Sequence, residues 1–88
     1  MVRKHVTVRG QVQGVGFRYT LARRAEARGV AGFARNNADG TLDAVLEGDA
    51  EAVDALVRFW QEGPRRARVA RVDVREEEPE HLDGFEIG

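Results

Sequence analysis

The sequence predicts an α+β fold: a two-layer sandwich of order βαββαβ, with a four- to five-stranded antiparallel sheet and two helices on one face, in a single domain over residues 1–88. Three observations predict it. Apolar residues recur at helical spacing in two stretches, Phe17 to Ala25 and Val53 to Trp60. Period-two alternation marks the segments around them. Glycine or proline stands at the junctions.

The first strand is read from Val6 and Val8, with Val12 beyond, alternating with polar neighbours and ending near Gly10. Gly10, Gly14 and Gly16 punctuate the connection GQVQGVG, after which Phe17, Leu21, Ala22 and Ala25 trace a helix that Gly29 ends. Val30 to Asn37 forms the second strand, NADG a hairpin turn, and Leu42 to Glu47 the third strand, closing at Gly48. Asp49 caps a second helix whose stripe is Val53, Leu56, Val57 and Trp60, and Gly63-Pro64 stops it. Ala70, Val72 and Val74 alternate with Arg71, Asp73 and Arg75 as a fourth strand, EEEPEHLDG reads as a solvated loop, and Phe85 to Ile87 as a short last strand. Each half is a split strand-helix-strand unit, the arrangement of a ferredoxin-like sandwich. That fold hosts many functions and decides none.

Composition narrows the chemistry. With 42% hydrophobic and 33% charged residues the chain is globular, and without cysteine it has no disulfide framework, thiolate metal site or cysteine nucleophile. Serine is also absent, leaving Thr7, Thr20, Thr41 and Tyr19 as the only hydroxyls. No stretch approaches the ~20 apolar residues of a membrane span and the basic N-terminus leads into no apolar segment, so the expected location is cytoplasmic. The net charge of -1 conceals an asymmetry. From Met1 to Asn36 eight basic residues face the single acid Glu26, a net of +7, and the remainder carries six Arg against 14 acids, a net of −8. Such a front invites an anionic partner.

The junction from Gly10 to Arg18 is where an anion would bind. Glycines allow backbone N–H groups to turn inward beside the positive end of the first helix. Arg18 stands in the first helical turn, where a cation is disfavoured by ~0.3–1 kcal/mol. A bound phosphate explains that placement, because a guanidinium grips two phosphoryl oxygens at once. The competing reading is a solvated Arg after a loop whose glycines serve turn geometry alone. Two other phosphate motifs fail: the chain's only Lys is Lys4, so there is no nucleotide P-loop, and the dinucleotide pattern begun at Gly14 and Gly16 meets Tyr19 where a third glycine belongs. Asn36, in GFARNNADG, has two readings as well. Its amide can hold a water without competing for protons, and Asn is also what a hairpin turn favours.

The stretches GQVQGVGFR and GFARNNADGTLDAVLEG resemble the two signatures of the acylphosphatase family. Gly-x-Val-Gln-Gly-Val-x-Phe-Arg is satisfied from Gly10 to Arg18, Gly-Phe-x-Arg-Asn-x-x-x-Gly from Gly32 to Gly40, and Gly48 stands in its expected place. Leu42 replaces the usual Val, and Asn37 a small hydroxyl or apolar residue, where it is expected to alter how the water or acyl group is held. The resemblance implies cofactor-free, metal-free hydrolysis of carboxylic-phosphoric anhydrides to carboxylate and inorganic phosphate. By position Arg18 would bind the phosphoryl group with the backbone N–H groups of Gln13, Gly14, Val15, Gly16, Phe17 and Arg18, and Asn36 would orient the attacking water. A carboxylate leaving group is a weak base and phosphoryl transfer asks mostly for positioning and charge stabilisation, so neither Ser nor Cys, nor His5 or His81, would be needed.

Other readings of the same residues are weaker. His81 with Glu78, Glu80 and Asp83 sets no metal geometry. Ferredoxin-like folds also bind nucleic acid, through aromatics on central strands, but the third strand TLDAVLEG carries none. A small-molecule regulatory module is the other alternative, and it would not need the glycine loop, Arg18 and Asn36 together. Modules of this kind also begin larger hydrogenase-maturation proteins; the reading adopted here is a free-standing monomer.

Overall fold

A computed structural model describes residues 1–13, 16–62 and 68–87. The elements are β1 (Val2–Gln11), α1 (Phe17–Ala27), β2 (Ala31–Asn36), β3 (Leu42–Gly48), α2 (Ala50–Glu62), β4 (Arg68–Glu77) and β5 (Phe85–Ile87). The expected helix stop at Gly63-Pro64 and the centre of the glycine loop, Gly14 and Val15, lie outside the described residues.

One sheet has the order β4-β1-β3-β2-β5. In-register partners share a face, so Val8 opposite Leu42 and Val6 opposite Ala44 turn the same way, into the core that α1 and α2 cover. Phe17, Leu21 and Ala25 of α1, and Val53, Leu56 and Trp60 of α2, are buried there. Phe17 meets Trp60 edge to face at 5.3 Å, fastening the start of α1 to α2. Asp49 occupies the cap position of α2, its carbonyl accepting the Val53 N–H at 2.9 Å. At the end of α1 the Val30 N–H bonds the Ala25 carbonyl at 2.9 Å and the Gly29 N–H that of Glu26 at 3.2 Å, which releases the chain into β2. Within β2, Gly32 is demanded by space: its φ is 144° and a Cβ would stand 1.7 Å from the Val45 carbonyl oxygen.

Three expectations are corrected. The sheet is mixed, because β5 pairs parallel with β2 while the other pairings are antiparallel. The cause is the path after β4. Glu77 at its end lies opposite Arg3, Arg3 opposite Glu47, and Glu47 opposite Ala31, so residues 78–84 cross that end of the sheet and re-enter beside Gly32 in the reversed direction. EEEPEHLDG is accordingly no simple solvated loop. Glu76 and Glu77 belong to β4, and the Glu47 carboxylate accepts the Glu80 and Leu82 N–H groups at 2.6 and 2.7 Å. Third, β1 runs on to Gln11 through an irregularity at Arg9/Gly10, where register passes from Arg71 to Val69. The extra residue is Ala70, which is exposed, while Val69 packs on the core.

Pairing between elements distant in sequence offsets part of the charge asymmetry. Arg3 contacts Glu47, Glu77 and Glu80, and Lys4 contacts Asp54 at 2.6 Å, so part of the cationic front is neutralised by the acidic back.

Candidate active site

The opposite end of the sheet is built differently. There β1 ends, α1 begins and β2 ends, and a cleft of about 210 Å³ is lined by Val12, Gly16, Phe17, Arg18, Tyr19, Asn36 and Ile87. Gly16 is the cap residue of α1 at φ 75° and ψ 16°, left-handed, with open space where a Cβ would be. Its requirement for glycine is therefore one of backbone conformation and not of room. Its carbonyl accepts the Thr20 N–H at 3.0 Å, placing Phe17 first and Arg18 second in the helix. The cap offers no side-chain acceptor and the first turn holds no acid. This helix start thus presents unneutralised N–H groups toward the cleft, with the half-buried Arg18 beside them.

Asn36 comes to the cleft along β2. It is in register with Leu42, on the helix-covered face, two residues beyond Ala34. Its direction is fixed by the hairpin after it. Asn37 donates its N–H to the Thr41 carbonyl at 2.8 Å and its Nδ2 to Thr41 Oγ1 at 2.9 Å, and the Asp39 carboxylate accepts the Thr41 hydroxyl at 2.6 Å and its N–H at 3.0 Å. The Thr41 hydroxyl, then its N–H, hold the Asp39 carboxyl below the usual carboxylate range. Asn37, next in sequence to Asn36, is therefore engaged in the turn and is absent from the cleft lining among the described residues. The Gln13 side chain supports the same hairpin. Its Nε2 donates to the Asn37 and Thr41 carbonyls at 3.0 and 3.1 Å, tying the loop before α1 to the β2–β3 hairpin.

Arg18 and Asn36, 18 positions apart in sequence, are thus brought to one cleft. Among the described residues neither side chain has a hydrogen bond or ion pair within the protein. Such an arrangement suits a small tetrahedral anion: a fork-shaped cation and helix N–H groups on one side, a neutral donor and acceptor on the other.

The family model for acylphosphatase matches residues 4–87. The chain belongs to the acylphosphatase family. An acylphosphatase of Thermococcus kodakarensis is 52% identical over 86 residues, covering 98% of this chain and 94% of the relative. One of Haloarcula marismortui is 49% identical over 85 residues, covering 97% and 93%. The crystal structure of an acylphosphatase from Bacillus subtilis superposes with a TM-score of 0.95 at 32% identity, covering 100% of this chain and 99% of that one.

Within this acylphosphatase fold, sequence reasoning missed Val12, Tyr19 and Ile87 as residues of the cleft. Tyr19 follows Arg18 directly, and helical geometry could have flagged it as part of the first turn. Ile87 carries no such signal, because only the parallel pairing of β5, with Ile87 opposite Ala34, sets it beside Asn36.

Proposed function

We propose that this protein hydrolyses acyl phosphates by direct attack of water on phosphorus, with Arg18 holding the phosphoryl group and Asn36 orienting the water. The Arg18 guanidinium takes two phosphoryl oxygens, and the N–H groups of the Gln13–Arg18 loop take what remains. The Asn36 amide accepts a hydrogen bond from a water placed opposite the acyl oxygen. The new P–O bond forms as the P–O bond to the carboxylate breaks. The carboxylate leaves with the electron pair and, being a weak base, without a proton, while a phosphoryl oxygen takes the proton of the water. Charge on the equatorial oxygens is spread in a loose transition state, so a preorganised cation and N–H groups supply the catalysis. No cofactor enters this scheme, and the protein acts as a monomer.

The observation that carries the reading is the convergence of Arg18 and Asn36 at the uncapped start of α1, in a chain of this family. Benzoyl phosphate hydrolysis in the presence of a chelator tests it. The parent is expected to turn over at an undiminished rate, and Asn36→Ala to lose on the order of 10²-fold in kcat, the scale for one catalytic hydrogen-bonding group. Abolition of activity by chelator would contradict the metal-free scheme, and a fully active Asn36→Ala would remove that residue from it.

A further inference from the structure

The cleft has a second wall that the phosphoryl chemistry does not use. Among the described residues the exposed large apolar side chains are Met1, Tyr19, Val74 and Ile87, and both Tyr19 (62% exposed) and Ile87 (42%) line this one cleft. They reach it from elements distant in sequence, Tyr19 from the first turn of α1 and Ile87 from β5. Exposed apolar side chains scattered singly need no explanation, but two that converge on a polar pocket bearing the reaction centre do.

We infer that Tyr19 and Ile87 form the acyl-binding wall of the site and select small apolar or aromatic acyl groups over acyl groups carrying charge. This rests on the acyl phosphate reading above. Arg18 is the only charged side chain lining the cleft among the described residues, and the phosphoryl group engages it; Asn36 and the Tyr19 hydroxyl are neutral. A carboxylate or ammonium on the acyl group would be drawn from water with no opposite charge left in the lining to meet it. A flat or branched apolar acyl group would instead cover Tyr19 and Ile87 and remove their surface from water. Arg23 lies with its guanidinium 6.0 Å from the centre of the Tyr19 ring, one helical turn on and outside the cleft lining, where it steadies the ring. The volume of about 210 Å³ falls below the ~300–1,000 Å³ of pockets for drug-sized ligands, which fits a phosphoryl group with a compact acyl group and not a nucleotide.

The experiment is kcat/KM for benzoyl, acetyl and succinyl phosphate with the parent, Tyr19→Ala, Ile87→Ala and Ile87→Arg, each checked by thermal melting. The parent is expected to prefer benzoyl over acetyl over succinyl phosphate. Both alanine variants should lower the benzoyl-to-acetyl ratio by about tenfold, the scale for lost apolar contact in a specificity pocket. The loss should fall mainly in KM, since such a wall binds ground and transition states alike. Ile87→Arg should raise succinyl above acetyl phosphate. Unchanged ratios in all three variants would overturn the acyl wall while leaving acyl phosphate hydrolysis standing, as would a parent that favours the succinyl substrate. A parent that hydrolyses none of the three would overturn the function itself and the wall with it.

Discussion

Two arginines at opposite ends of one sheet show how the same side chain is put to different uses. Arg3 is buried where β1 begins, and its guanidinium is met by Glu47 at 3.0 Å, Glu77 at 3.0 Å and Glu80 at 3.4 Å. Arg18 is half-buried at the start of α1, at the other end, and faces a cleft. Burial opposes the charge of Arg3, but its hydrogen bonds to Glu47 and Glu77 more than offset this and raise its pKa further. For Glu47, burial likewise pushes the carboxyl up, and the Glu80 and Leu82 N–H groups with Arg3 outweigh it and hold the carboxyl below its usual value. One end is thus a closed circuit of charge that fastens the crossing segment and, through it, β5. The other leaves donors open for a ligand. A cation satisfied by its own chain stabilises the fold, and one left unsatisfied among its neighbours is available for binding.

The division can be broken at the closed end first. Glu47→Leu removes the most buried partner of Arg3, leaving it Glu77 and Glu80, and strands two backbone N–H groups, so it is expected to cost about 3–5 kcal/mol in a urea melt. A loss below about 1 kcal/mol would mean that the clamp holds little. Acid offers a gentler version. Because the folded pKa of Glu47 is depressed, its contribution is fully present above the ordinary value of 4.5 and is lost as pH falls through the lower folded value. Melting temperature should therefore drop more steeply below pH 4.5 in the parent than in Glu47→Gln, and parallel pH profiles would contradict the assignment. The smallest effect is expected at the open end. Gln13→Ala removes two hydrogen bonds between the glycine loop and the hairpin, so it should cost about 1–2 kcal/mol in a urea melt. It should also lower kcat severalfold by loosening Asn36 relative to Arg18. A variant that lost stability with unchanged kcat would make Gln13 purely structural.

What was legible in the sequence follows from how local each feature is. Both helices were readable because Phe17, Leu21 and Ala25, and Val53, Leu56 and Trp60, carry the helical period within single segments. Arg18 and Asn36, which the structure brings to one cleft, stood out as candidates because each sits in a compact run of characteristic residues, and because a cation in a first helical turn is locally anomalous. The Arg3–Glu47 clamp spans 44 positions and leaves no periodic trace in either segment. The direction of β5, and with it the place of Ile87 in the cleft, depends on that clamp turning the chain across the sheet. Ala70 was misread for a related reason: alternation holds only until an irregularity at Arg9/Gly10 in the neighbouring strand shifts the phase.

The central claim, that Arg18 is the open cation reserved for the phosphoryl group, is tested most directly by benzoyl phosphate hydrolysis with Arg18→Ala and Arg18→Lys. The predicted result is a loss in kcat on the order of 10³-fold for the alanine variant, with a melting temperature close to the parent's. The lysine variant should be severely impaired too, because a point charge cannot reproduce the two-pronged grip. An Arg18→Ala protein that hydrolysed benzoyl phosphate at the parental rate would contradict the account.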